Sequence, residues 1–131
     1  MKAGTSMTES LNLTVDRRDG LAVIYTEGYI NNQGGEEIAR AAYKLLDEGF
    51  KVLLLNLAGT KIVNSIGISI LIEIIEKMIE INGKLGFCCL TPTIDKTFHI
   101  MGLAQYAPIF DTEERALAEL GELGELGGHR G

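Results

Sequence analysis

The chain has 131 residues, 46% of them hydrophobic and 23% charged, the size and make-up of one compact domain with an ordinary core. A net charge of −6 argues against a nucleic-acid binder, since the basic pairs Arg17-Arg18 and Lys44 with Lys51 sit at element ends and build no basic face. No run reaches about 18 uninterrupted apolar residues, and residues 1–10 lack the apolar centre of a signal peptide, so a cytoplasmic protein without membrane contact is expected.

Leu11, Leu13 and Val15 alternate with polar residues, Asp19-Gly20 makes a turn, and Leu21 to Thr26 resumes with β-branched and aromatic side chains; this predicts a β-hairpin. Gly28 to Gly35 reads as a loop rich in turn formers. Ile38, Ala42, Leu45 and Leu46 then mark the apolar face of a helix, with Glu36 and Arg40 as an i,i+4 pair on its wet side and Gly49 at its stop. Val52 to Leu57 is apolar without alternation apart from Asn56, as expected of a central strand covered or paired on both sides. A loop is expected to follow it.

From Ser65 to about Asn82-Gly83 the pattern predicts a long helix whose polar positions Ser69, Glu73, Glu76 and Glu80 form one narrow wet stripe. The rest of its surface is isoleucine, leucine and methionine, more than one sheet contact requires, so neighbouring helices or another protein must cover it. Leu85 to Leu90 predicts a further buried strand, in which alternation sends Cys88 and Cys89 to opposite faces. They are read as unpaired structural cysteines. Thr91-Pro92 opens a helix carrying Ile94, Phe98 and Met101, Gly102 ends it, and Ala107 to Phe110 forms a short edge strand that admits Pro108. Asp111-Thr112 caps a last helix with Ala116, Leu117 and Leu120 on its apolar face.

The organisation read from this pattern is a flexible N-terminus over residues 1–9, one domain over 10–120, and a Gly/Glu-rich tail over 121–131. That tail holds too much glycine for a helix and is expected to be disordered. Helices and strands alternate after the hairpin, so an α/β fold with a mixed sheet of four to five strands follows.

Reactive groups are sparse. His129 lies in the glycine tail and His99 beside Phe98, and neither accompanies a nucleophile elbow. Ala58-Gly59-Thr60-Lys61 resembles a phosphate loop by composition only. Glu73, Glu76 and Glu80, interrupted by Lys77, read as a solvated stripe and not a metal site, and Tyr25, Tyr29, Tyr43 and Tyr106 do not interleave with basic residues. No catalytic residue, metal ligand or cofactor is expected. What remains is Ser65, which at a helix start can cap the helix with its oxygen or carry a phosphate that the free backbone N–H groups tolerate.

The junction Asn64-Ser65-Ile66-Gly67-Ile68 resembles the Asp-Ser-Ser/Thr-Gly-Leu/Ile signature of the STAS family, the anti-sigma factor antagonist domains. Gly28 with Asn31 is similar to that family's Gly-x-x-Asp, and Asn82-Gly83-Lys84 to its turn after the long helix. Thr91-Pro92 to Phe98, Met101-Gly102-Leu103 and Ile109-Phe110 resemble its later landmarks in the same order, so the likeness spans residues 10–120. It implies a mixed sheet with four helices packed on one face, and partner switching instead of catalysis. By that resemblance the protein binds an anti-sigma factor that is also a serine kinase, is phosphorylated at Ser65, and is reset by a serine phosphatase. Tyr29, Asn31, Asn64, Ser65, Ile66, Gly67 and Ile68 are the expected docking surface, and a homodimer is compatible with it. The chain departs from the family at Asn31, Asn64 and Ile66, where two acids have become amides. That change either slows phosphorylation or makes the phosphate easier to hold, and it keeps open an alternative: a non-switching STAS scaffold or sensor component that binds other STAS proteins, a kinase or a phosphatase. A nucleotide or lipid carrier is the third reading that the resemblance allows.

Overall fold

In the computed structural model the backbone is described for residues 10–130 and the side chains for residues 10–121. Strands β1 (Leu11–Arg18) and β2 (Leu21–Ile30) pair antiparallel around Asp19-Gly20. Strands β3 (Val52–Val63), β4 (Lys84–Cys88) and β5 (Ile109–Phe110) each add in parallel, so the sheet runs β1-β2-β3-β4-β5 with β3 at its centre. Parallel neighbours need long crossovers. These are supplied by α1 (Asn32–Asp47), α2 (Ser65–Glu80) and α3 (Pro92–Ile100), the last followed by a 3₁₀ turn at Leu103–Gln105; α4 (Glu113–Arg130) closes the chain.

Because side chains alternate along a strand, each apolar strand offers two faces. Ala22, Ile24, Leu53, Leu55, Leu85 and Phe87 point to the larger core, where they meet Ile38 and Leu45 of α1, Leu71, Ile74 and Met78 of α2, and Phe98 of α3. Phe87 and Phe98 pack edge to face at 5.0 Å between ring centres and 74° between planes, a geometry that adds to simple burial. Leu21, Val23, Val52, Leu54 and Cys88 point the other way and are covered by Ala116 and Leu120 of α4. The expectation of four helices on one face is therefore corrected to three and one. The physical reason lies in β3: an apolar residue at nearly every position from Val52 to Leu57 demands cover on both sides.

A polar clasp fixes α4 to that second face. The buried Asn56 amide donates to Glu113 Oε1 at 2.6 Å, Tyr25 OH donates to Glu113 Oε2 at 3.1 Å, and Arg18 Nη2 stands 3.8 Å from the same oxygen. Burial and the neighbouring carboxylate push the Tyr25 phenol above its ordinary value, which keeps it a donor. On the hairpin side, Arg17 grips Glu48 at the end of α1 with a pair of bonds of 2.7 and 2.8 Å, and that grip holds the Glu48 carboxyl below its usual range. The Glu36–Arg40 pair expected on α1 is not among the ion pairs of the described residues.

Other boundaries differ from expectation for local reasons. The segment 28–35 is not a loop: β2 continues to Ile30 and α1 starts at Asn32. Gly28 makes this continuation feasible, since its φ of +114° and a Cβ position only 2.3 Å from the Ser10 carbonyl oxygen both exclude a side chain. β3 likewise runs past Leu57 to Val63, and the register with β2 shifts at Tyr25/Glu27 and Gly28/Tyr29, where bulges re-aim the strand ends. β4 stops at Cys88, and Cys89 turns into the left-handed region at φ +67°, so it packs against the same cluster as Cys88 and not on the opposite face. Both thiols are free. The last helix continues to Arg130, through the segment expected to lack helix; Gly121, Gly124, Gly127 and Gly128 each weaken a helix by about 1 kcal/mol, but Glu122, Leu123, Glu125 and Leu126 between them are good helix formers. The expected flexible N-terminus, residues 1–9, lies outside the described residues.

Truncating Phe87 to alanine should cost about 3–5 kcal/mol, read as a lower denaturation midpoint at unchanged slope in urea. Burial pushes the Cys88 thiol far above its ordinary value of 9.0, so it should resist a thiol reagent at pH 8 until the chain unfolds. Because the folded thiol is the harder one to ionise, its contribution to stability is complete below pH 9.0 and declines as the pH rises above that value; a Cys88→Ser variant should flatten the alkaline limb of a stability-versus-pH curve.

Candidate functional site

The ends of β2 and β3 lie side by side, with Tyr29 opposite Ile62 and Ile30 opposite Val63, and each strand feeds directly into a helix. The two helix N-termini are consequently neighbours. Asn31 caps α1: its Oδ1 accepts from Gly34 N–H at 2.9 Å. Asn64 caps α2 in the same way, its Oδ1 accepting from Gly67 N–H at 2.8 Å. The junctions are tied together by Asn64 N–H donating to the Ile30 carbonyl at 3.1 Å. Gly67 lies directly over that carbonyl, where a Cβ would come within 2.2 Å of the oxygen, so no other residue fits without moving the strand.

This settles one of the two roles open to Ser65. The cap is Asn64, and Ser65 is the first residue of α2, exposed, with a backbone carbonyl that accepts from Ser69 Oγ at 3.1 Å. Its own hydroxyl has no hydrogen bond among the described residues. Asparagine and aspartate cap helices about equally well, so amides at 31 and 64 keep both caps without adding a carboxylate at either helix start. Neither α1 nor α2 carries an acidic residue in its first turn.

The expected docking residues divide by exposure. Asn64, Ser65 and Ile66 are exposed, Ile66 by 52%, and Tyr29 and Asn31 are half-buried. Gly67 and Ile68 are buried, Ile68 within the main core, and so act as the seat of the helix. Ile62 was missed: it is 49% exposed near the end of β3, opposite Tyr29 and three residues before Ser65. Its only sequence signal is adjacency to Lys61, and an isoleucine in an apolar run gave no reason to place it outside. Beneath the junction the Thr26 and Thr60 hydroxyls, both buried, share a hydrogen bond of 2.5 Å across β2 and β3.

Other chemistry has little to build on. Among the described residues no three His, Cys, Asp or Glu side chains gather in a way that could hold a metal ion, and no helix is long and apolar enough to cross a membrane. His99 Nδ1 lies 2.9 Å from the Asp95 carbonyl on an exposed helix face, away from Ser65. The site is a surface: one free hydroxyl, two neutral caps and exposed isoleucines.

Residues 12–116 match the model of the STAS domain, and the chain belongs to that family. Among its relatives is BtrV, a candidate anti-sigma factor antagonist of Bordetella bronchiseptica, 24% identical over 108 residues that cover 82% of this chain and 93% of BtrV. An anti-sigma factor antagonist from Mycobacterium paratuberculosis superposes with a TM-score of 0.75 at 23% identity, over 85% of this chain and 94% of that one. The Bacillus cell fate determinant SpoIIAA in its phosphorylated form does so with a TM-score of 0.67 at 18% identity, over 82% and 98%. The mixed sheet with its helices is the fold these proteins share.

Replacing Asn64 by alanine should destabilise the protein by about 1 kcal/mol, whereas Asn64→Asp should be close to neutral; chemical denaturation distinguishes the two. Gly67→Ala should destabilise more than Asn64→Ala, because the added methyl meets backbone.

Proposed function

We propose that the protein is an anti-sigma factor antagonist that binds an anti-sigma factor with serine kinase activity and is released by phosphorylation of Ser65. The observation that carries this reading is the free, exposed Ser65 hydroxyl at the first position of α2, bordered by exposed Ile62 and Ile66. Membership of the STAS family and likeness to proteins named as anti-sigma factor antagonists support it.

The physics suits a switch that works without refolding. A phosphate adds about −1.5 to −2 charges at neutral pH. On Ser65 it stands at the positive ends of two helices, where backbone N–H groups and aligned dipoles tolerate an anion. Amide caps at Asn31 and Asn64 spare it any fixed negative charge in either first turn. The partner meets the change instead. An apolar contact over Ile62, Ile66 and Tyr29 would have to strip water from a dianion, which loosens the complex. A serine phosphatase then restores the binding form, and no step requires catalysis by this chain.

The departures at Asn31, Asn64 and Ile66 favour a second reading, a STAS scaffold or sensor component that holds its partners without switching. Incubation with magnesium, ATP and the switch kinase encoded nearest this gene separates the two, with phosphate located by mass spectrometry. The expected outcome is one phosphate on Ser65 and none on Ser65→Ala, a Ser65→Ala protein that stays bound in the presence of ATP, and a Ser65→Glu protein with weakened kinase affinity. Stable kinase binding with no phosphate on Ser65 would sink the switch and leave the scaffold. A thermal melt of the phosphorylated protein should give a midpoint equal to or above that of the unmodified one.

A further inference from the structure

We propose that a groove along the far half of α2 is a second part of the partner interface and takes a basic amphipathic helix of the anti-sigma factor. This rests on the antagonist reading above. The groove has a volume of about 480 Å³ and lies between α2 and the segment after α3, lined by Ile72, Ile75, Ile79, Met101 and Tyr106 with Glu76 on its wall. Its floor is Ile75, buried in the main core, but its rim is left in water: Ile79 is 52%, Met101 50% and Tyr106 64% exposed, and Ile100 beside Met101 is 71% exposed. Large apolar side chains grouped in this way mark a contact surface.

Two observations select the occupant. The first is alignment. Ser65, Ile72, Glu76 and Ile79 are separated by seven, four and three residues, so they fall on one face of α2. The groove therefore continues the Ser65 surface down the same helix, reaching Ile79 about 21 Å along the axis at ~1.5 Å per residue. One partner can span both. The second is charge. Glu73, Glu76 and Glu80 line the exposed edge of α2, and only Lys77, which pairs with Glu80 at 3.4 Å, offsets them. An apolar trough with an acidic edge fits a helix with apolar residues at i, i+3/i+4 and i+7 and lysine or arginine on its flank.

The same features reject other occupants. A second copy would set this acidic edge against its own image in a chain of net charge −6. The segment 122–131 pairs Leu123 and Leu126 with Glu122 and Glu125, the wrong sign, and residues 1–9 offer only Met1, Ala3 and Met7 as apolar side chains. A small ligand would find no cluster of converging polar groups, since Glu76, Gln105 and the Tyr106 hydroxyl are the only polar side-chain groups in the lining.

The test measures the affinity of the same anti-sigma kinase, by calorimetry, for the wild-type chain and for Ile79→Glu, Tyr106→Ala, Glu76→Lys, Ser65→Glu and, on the far side of the sheet, Asn12→Ala in β1 as a control. All five positions are exposed, and unchanged thermal midpoints verify the fold. The expected result is a loss of about tenfold or more for each groove variant, a shallower salt dependence for Glu76→Lys, and no loss for Asn12→Ala. Groove variants that bind like wild type while Ser65→Glu does not would overturn the groove and spare the antagonist reading. Losses in the groove variants with none in Ser65→Glu would uphold the groove and overturn the switch. A kinase that does not bind the wild-type chain at all overturns both, and a wild-type dimer that Ile79→Glu dissociates assigns the groove to self-association and overturns the proposal.

Discussion

The parallel pairing of β2 with β3 right up to their last residues is the constraint on which the site depends. It brings Ile30 beside Val63 and lets the Asn64 N–H reach the Ile30 carbonyl, so two helices must start next to each other. Everything at the junction answers to that closeness: Gly67 has no side chain because the carbonyl is in the way, and each cap is a short amide that turns back on its own helix. Ser65 is left over from this economy, a hydroxyl at a helix start that no other described residue uses.

The sheet separates two tasks. Its larger core buries α1, α2 and α3 and fixes the attitude of the helix that presents Ser65. Its second face holds α4 through a small apolar cluster and the Glu113 clasp, made with Asn56 and Tyr25 from strands β3 and β2. A residue that supports the Ser65 junction and one that supports the closing helix therefore alternate along the same strand. Substitutions from Val52 to Leu55, before the register shifts, are felt on one side or the other according to parity.

Much of this was legible in the chain. The hairpin, the central strand, the long second helix and the proline-led third helix follow from alternation, uninterrupted apolar runs and turn residues, and the structure has them in that order. The run from Val52 to Leu57 even contained the second face, since a strand apolar on both sides needs two covers. The junctions were harder. Glycine-rich and amide-rich sequence around 28–35 reads as loop because turn formers and close-approach residues are the same amino acids; only the register shows that Gly28 sits in a strand and Asn31 on a cap. For Ser65 the sequence could not choose between cap and free hydroxyl, since Asn64 and Ser65 are both good caps and one residue of helix phase decides. Ile62 was invisible for a related reason: side-chain parity past a bulge does not follow from composition.

The placement of α4 bears on how the protein can be handled and joined. Its first turn is anchored on the back of the sheet by Glu113, and the helix packs there on Val23, Leu54 and Cys88, on the opposite side from α1 and α2. Whatever is attached through this helix, whether a fluorophore, an affinity handle or a neighbouring domain, is introduced on the side of the sheet facing away from Ser65. The back of the sheet thus offers a mounting point, which suits the molecule to immobilisation with the Ser65 junction left open.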